Sequence, residues 1–188
     1  MNRPPGVFTI VVMVAAVASA CTTATSTKSP VPLTTPTTSA PESVTALCGN
    51  PAQFTALSVT RTNPFPQNDI TFTFPDDVTS TNGPAIAAVA TSACQLPLFP
   101  SVAMHCPADF GISYALAFMG ADGQVVTTIN AMPTGCPRVT GLGPTRSATS
   151  SFWNLLAVAL GLPAPREYCD PFKGRLPGAP TTCGPLES

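Results

Sequence analysis

The chain has 188 residues, 44% of them apolar, which is enough to bury one core and leaves little room for a second once the ends are set aside. Only 9% of residues are charged while 23 are proline, so the surface must be built mainly from neutral hydroxyl and amide side chains. The formal charge of −1 includes no basic stripe that could neutralise phosphates, which argues against nucleic-acid binding.

In chain order, the first segment carries the marks of export. Arg3 supplies a positive start, Val7 to Val17 is an apolar run too short to span a bilayer permanently, and the small residues Ala18-Ser19-Ala20 follow. Residues 1–20 therefore read as a signal peptide. Its removal takes away Arg3 and leaves seven Lys plus Arg against nine Asp plus Glu, a balance of −2. Two processing routes meet at this point. Ala18-Ser19-Ala20 fits a cleavage site that would leave Cys21 as a free thiol. The same residues with Cys21 resemble the lipobox of bacterial lipoproteins, departing from it at Ala18, where Leu is more usual. Cysteine arithmetic favours the second route. Seven cysteines cannot all pair within one chain, and acylating Cys21 leaves the even set Cys48, Cys94, Cys106, Cys136, Cys169 and Cys183. A lipidated Cys21 implies stable anchoring by more than one acyl chain on the outer face of a membrane; simple secretion is the alternative.

Residues 21–46 read as the lipidated cysteine and a Thr/Ser/Pro-rich tether, with almost nothing able to pack and prolines that deny helix and ladder alike. Polyproline II geometry of about 3.1 Å per residue would give such a spacer a reach of several tens of Å. Its hydroxyl density also suits O-glycosylation, a compositional expectation only; no Asn-x-Ser/Thr sequon occurs.

Residues 47–188 are expected to form a single disulfide-bonded α+β domain. Gln53 to Thr62 alternates as a half-buried strand, with Leu57 and Val59 on one face. Asp69 to Pro75 repeats the alternation with Ile70, Phe72 and Phe74, and Asp76 to Gly83 reads as a polar turn. Pro84 to Cys94 places Ile86, Val89, Ala90 and Ala93 at helical spacing behind an Asn82 cap. Gly111 to Met119 and Gln124 to Ala131 read as a hairpin around Gly120-Ala121-Asp122-Gly123, with Ile112, Tyr114, Leu116 and Phe118 facing inward. Ser150 and Ser151 precede an apolar helix over Phe152–Leu160, stopped by Gly161 and Pro163. It should lie buried against the sheet, the sharper alternative being a partner or membrane surface. The order favours an antiparallel sheet with two helices packed on one face.

If Gly120 faces Gly123, opposing residues of the hairpin have numbers summing to 243, and those of Cys106 and Cys136 sum to 242. These two thiols should therefore pair, closing a loop whose constraint stabilises the fold by roughly 3 to 4 kcal/mol in the chain-entropy model. Nearness then favours Cys169 with Cys183, leaving Cys48 with Cys94. No Cys-x-x-Cys occurs and His105 is the only histidine, so neither a metal site nor a cofactor is expected.

An exported hydrolase would have to use His105, which stands beside Cys106, and no Gly-x-Ser-x-Gly elbow or Ser-x-x-Lys start is present. Asp69, Asp76, Asp77, Asp109, Asp122 and Asp170 fall mostly in turns, where aspartate bonds its own backbone. A non-catalytic binding module facing an envelope protein or the cell wall fits better. In its Ala/Thr/Pro-rich composition and its layout of tether and cystine-bonded head, the chain resembles cell-envelope lipoproteins of high-GC Gram-positive bacteria. A further likeness lies at Cys106-Pro107, preceded by two strands and a helix and standing 30 positions before Cys136. That order is similar to the Streptomyces-type subtilisin inhibitors over roughly residues 54–136, although the family's other cysteine pair ahead of the helix is missing. The resemblance implies a binding loop with Ala108 at the primary specificity position and Asp109 just after it, and protease inhibition as an alternative function.

Overall fold

In the computed structural model, which describes residues 42–166 and 169–179, the alternation at Gln53–Thr62 becomes the inner strand β1 (Ala56–Thr62). Leu57 and Val59 are fully buried. β1 takes β2 (Asp77–Ser80) on one side and β3 (Ser113–Met119) on the other. The sheet continues through β4 (Val125–Met132), β5 (Arg138–Thr140) and β6 (Arg146–Ser147), antiparallel at every step, in the order β2-β1-β3-β4-β5-β6. Three helices complete it: α1 (Glu42–Gly49), α2 (Gly83–Gln95) and α3 (Ser150–Leu160). The class is α+β, with an antiparallel sheet and helices on one face. Leu57, Val59, Tyr114, Leu116, Phe118, Ile129 and Ala131 point into the same cluster as Ile86, Val89, Phe152 and Leu156. On the opposite face Thr60, Thr128 and Asn130 are exposed and Ala115 and Ala117 half-buried.

The helix starts follow capping chemistry. Asn82 Oδ1 accepts from the N–H of Ala85 at 3.4 Å, with Pro84 in the first turn where its missing N–H costs nothing. For α3 the cap falls one residue ahead of the expected serines: Thr149 Oγ1 accepts from the N–H of Phe152 at 3.3 Å. Gly161 ends the helix in the left-handed conformation, φ 67°. Phe152, Trp153, Leu156, Ala157 and Ala159 are buried while Val158 faces solvent, so α3 is a packed helix with one wet side.

Three expectations are corrected. Asp69–Pro75 is not a ladder strand: it makes one isolated bridge, Thr71 with Arg175, through bonds of 3.0 and 2.8 Å. Its alternation is real, with Ile70 and Phe74 buried and Phe72 half-buried against the core. Both edges of β1 are already taken, so the segment lies across the core as an apolar cover. The partner strand β2 instead falls inside the expected polar turn Asp76–Gly83. Finally, α1 begins at Glu42, inside the segment assigned to the tether at 21–46. No proline follows Pro41 until Pro51, and Leu47, fully buried, fixes the helix to the core.

The hairpin closes as expected at Gly120 and Gly123, whose N–H reaches Gly120 O at 3.0 Å, but its register is offset. Tyr114 faces Ala131 and Leu116 faces Ile129, numbers that sum to 245, because the register shifts at Phe118/Met119 beside the turn. Below the ladder the chain slips back, and Gly135 N donates to Ala108 O at 3.2 Å, a pair summing to 243. The two irregularities offset each other, and Cys106 bonds Cys136 with Cα atoms 5.0 Å apart. The second expected bridge, Cys48–Cys94, is present with Cα atoms 5.7 Å apart and staples α1 to α2. Cys169 is disulfide-bonded; its expected partner Cys183 lies outside the described residues, as do residues 1–20, read as a signal peptide, Cys21, and most of the segment read as a tether.

One end of the core is aromatic. Phe172, fully buried, has ring centroids 5.0 Å from Trp153, 5.5 Å from Tyr114 and 6.1 Å from Phe74. Tyr114 donates its phenolic hydrogen to Phe172 O at 2.8 Å. Burial pushes this phenol well above its ordinary range, and the neighbouring Arg61 guanidinium offsets part of the rise. The same group in the unfolded chain ionises at about pH 10, so this contribution to stability is intact below that pH and declines as pH rises further. Tyr114→Phe should therefore cost about 1–2 kcal/mol at neutral pH, by stranding the Phe172 carbonyl, and should make the alkaline decline shallower. Urea titrations at about pH 7 and about pH 11 check both parts.

Candidate functional site: an exposed loop pinned by a disulfide

After α2 the chain runs along the free side of β6. Phe99 N donates to Thr145 O at 2.9 Å and Ser147 N to Pro97 O at 2.8 Å, flanking the Leu98–Arg146 bridge. Arg146 Nη1 holds Leu96 O at 2.7 Å. The chain then leaves the body: every residue from Pro100 to Asp109 is exposed. Among them are the apolar side chains of Val102, 72% exposed, and Met104, 44%, with Leu98 at 62% just before. Large side chains of this kind normally seek the core, and three of the eight exposed large apolar side chains among the described residues fall within residues 98–104.

The return of the loop is built tightly. Cys106 is bonded to Cys136, and the Asp109 carboxylate, though exposed, turns back onto the neighbouring backbone and Thr134. Its Oδ1 accepts from Gly111 N at 2.9 Å and from Thr134 Oγ1 at 2.9 Å, while Oδ2 lies 3.7 Å from Arg138 Nη2. Gly135, at φ 69°, lets the two segments meet, since a Cβ there would lie 2.9 Å from Asp109 Cβ. Ala108 and Asp109, the expected binding residues, thus form the foot of the loop. Ala108 exposes its side chain but its carbonyl is engaged by Gly135 N; the free outer part is residues 100–107.

Beneath the loop lies a cleft of about 420 Å³ walled by Phe99, Met104, Pro107, Phe110, Pro133 and Pro137, with Lys173 at its rim. A second hollow of about 310 Å³ shares Pro133, Pro137, Ala148 and Lys173 with it and adds Trp153, Arg166 and Asp170. Lys173 and Asp170 pair at 3.4 Å. The cleft beneath the loop is mostly apolar with proline walls, while the second hollow carries the charged side chains Arg166, Asp170 and Lys173.

His105 sits on the exposed loop, and among the described residues no hydrogen bond joins it to a serine or a carboxylate. No group of three or more His, Cys, Asp or Glu among the described residues could hold a metal ion. The turn reading of the aspartates holds for Asp122 and Asp170, each accepting from the N–H two residues on at 2.9–3.0 Å, and Asp109, the one that stands apart in its rigid approach to a strand, makes the same kind of bond to Gly111 N at 2.9 Å. No helix among the described residues is long and apolar enough to cross a membrane. Comparison with family models, curated proteins and solved structures finds no match.

Sequence reasoning found the disulfide and the foot of the loop but missed Leu98, Val102, Met104 and the cleft. The available signal was weak: Leu98, Val102 and Met104 share the parity of a strand, but Pro97, Pro100 and Pro107 punctuate the stretch and break any regular element.

Proposed function

We propose that this chain is an extracytoplasmic lipoprotein, anchored to the membrane through Cys21, whose head is a non-catalytic binding module that meets an envelope protein with the loop 97–110 and the cleft beneath it. The observation that carries the reading is the exposed run ending in Cys106, tipped by Val102 and Met104 and fastened to Cys136. A loop whose foot is fixed in advance loses less conformational freedom on binding. The anchor is supported by the lipobox resemblance and by sulfur pairing: Cys48, Cys94, Cys106, Cys136 and Cys169 are all disulfide-bonded.

The test uses a photo-crosslinker placed at Val102 and, as a control, at Thr128 on the open sheet face, in intact cells. Val102 should yield a discrete adduct, Thr128 none, and Val102→Ser/Met104→Ser should reduce capture from a neighbouring loop position at least about tenfold. Equal labelling from both positions, or no loss in the double variant, would overturn the reading. Cys21→Ser should shift the protein from the membrane fraction to the medium.

A second reading, protease inhibition, is favoured by Cys106-Pro107 and its bridge on an exposed loop. Against it stand the engaged Ala108 carbonyl, which an inhibitor offers to the protease oxyanion site, and the Asp109 carboxylate turned back onto Thr134. Assays against subtilisin and trypsin decide between the two. A hydrolase reading would draw on His105 and Asp109, which no hydrogen bond joins among the described residues.

A further inference from the structure

The two bridges traced between described residues stand in unlike surroundings. Cys48 and Cys94 are half-buried, packed on the core, and join α1 to α2. Cys106 is exposed, and only its partner Cys136 is buried. Phe99 is held by Thr145, and Ala108 by Gly135. Between them, no hydrogen bond among the described residues fixes residues 100–107. The bridge is the one firm fixture on that stretch, and two walls of the cleft, Met104 and Pro107, lie beside it.

We propose that Cys106–Cys136 is a redox latch on the loop, opened selectively by a dithiol reductant while Cys48–Cys94 stays closed. The inference rests on reading this loop as the binding surface. A thiolate of the reductant attacks Cys106 Sγ; the sulfur–sulfur bond breaks and its electron pair leaves on Cys136 Sγ, which takes a proton. The reductant's second thiolate then attacks its own sulfur in the mixed disulfide, releasing Cys106 as a thiol and leaving the reductant as a disulfide. The bridge gains two electrons and two protons, and the dithiol loses them. Selectivity follows from access. Cys106 stands exposed on a stretch that no other bond among the described residues holds, whereas both cysteines of Cys48–Cys94 are half-buried against the core between α1 and α2, which shields them from attack and slows their opening. Once open, the loop loses its fixture, the cleft loses two walls, and any partner must bear the cost of reordering both.

The test is graded dithiothreitol on the folded full chain, with thiols trapped by iodoacetamide and mapped by peptide mass spectrometry. Cys106 and Cys136 should be alkylated at least about tenfold faster than Cys48 and Cys94. Trp153 fluorescence should be unchanged, and limited proteolysis should gain cuts within residues 100–107. Cys106→Ser/Cys136→Ser should show the same cuts without reductant; if that variant fails to fold, the alkylation order on the native chain still decides. Equal or faster opening of Cys48–Cys94 would overturn the proposal, as would an opened bridge whose loop remains uncut. Neither readout involves a partner, so failure of the binding reading leaves the alkylation order untouched, and a latch that fails leaves crosslinking from Val102 as it was.

Discussion

Phe172→Ala is expected to lower the unfolding free energy by about 3–5 kcal/mol, the largest effect of any single truncation considered for this fold. The ring is fully buried and meets Trp153, Tyr114 and Phe74 at centroid distances of 5.0, 5.5 and 6.1 Å. Its deletion removes packing from three aromatic neighbours at once, and the surrounding sheet and helix are too rigid to close the gap. Position 172 also ties the tail down by its backbone, with its N–H on Asp170 Oδ1 at 2.9 Å and its carbonyl receiving the Tyr114 hydroxyl at 2.8 Å. Urea unfolding followed by Trp153 fluorescence should show an earlier midpoint. Phe172→Leu, which refills most of the volume, should cost about 1–2 kcal/mol. Equal loss from both substitutions would mean that the site collapses freely and that the aromatic packing is not what holds the tail.

Arg61→Ala should cost about 2–4 kcal/mol. The Arg61 side chain is only 6% exposed, yet it sits on a strand of a sheet with little other charge. Its guanidinium carbon lies 3.7 Å from the centre of the Phe72 ring and 5.0 Å from that of Phe74. Nη1 donates to Phe74 O at 3.2 Å and Nη2 pairs with Asp76. The planar cation is thus stacked on aromatic rings and bonded through both terminal nitrogens, which a lysine cannot reproduce. Arg61→Lys should recover less than half of the loss. Asp76→Asn should cost below about 1 kcal/mol, because the aspartate side chain is 74% exposed and water can replace it. Urea midpoints for the three variants check the ranking; a loss at Asp76 as large as that at Arg61 would assign the stability to the ion pair instead of the stacking.

Arg61 also shows why one part of the fold was read wrongly from sequence. In Asp69–Pro75 a period of two is written plainly, but periodicity reports alternating burial, not hydrogen bonding. Phe72 and Phe74 alternate inward to meet Arg61 and Tyr114 while the backbone pairs only at Thr71. β2, four residues of Asp-Val-Thr-Ser, carries too little apolar signal to stand out from a turn. Strands β1, β3 and β4 and helices α2 and α3 were legible because each buries one regular face and ends on a residue with a capping or turn role. α1 was hidden by its position behind a proline-rich stretch, and β5 and β6 by their length of three and two residues.

For the candidate site, covalent logic was more legible than surface. Cysteine numbers and a hairpin centre sufficed to pair Cys106 with Cys136, even though the ladder register differs, because errors of register on either side of the bulge cancel at that distance. The outward Val102 and Met104 could not be derived, since a short apolar alternation broken by prolines carries no instruction about facing in or out until the surrounding fold is known.

The strip Pro97–Leu98–Phe99–Pro100 bears on how copies of the molecule coexist. Its bonds to β6 use Pro97 O and Phe99 N, so the polar backbone turned outward belongs to Leu98 alone, and the prolines on either side have no N–H to lend. A neighbouring chain trying to add itself to this rim would find a single rung. The strip thus blunts one rim of the sheet against pairing with another copy.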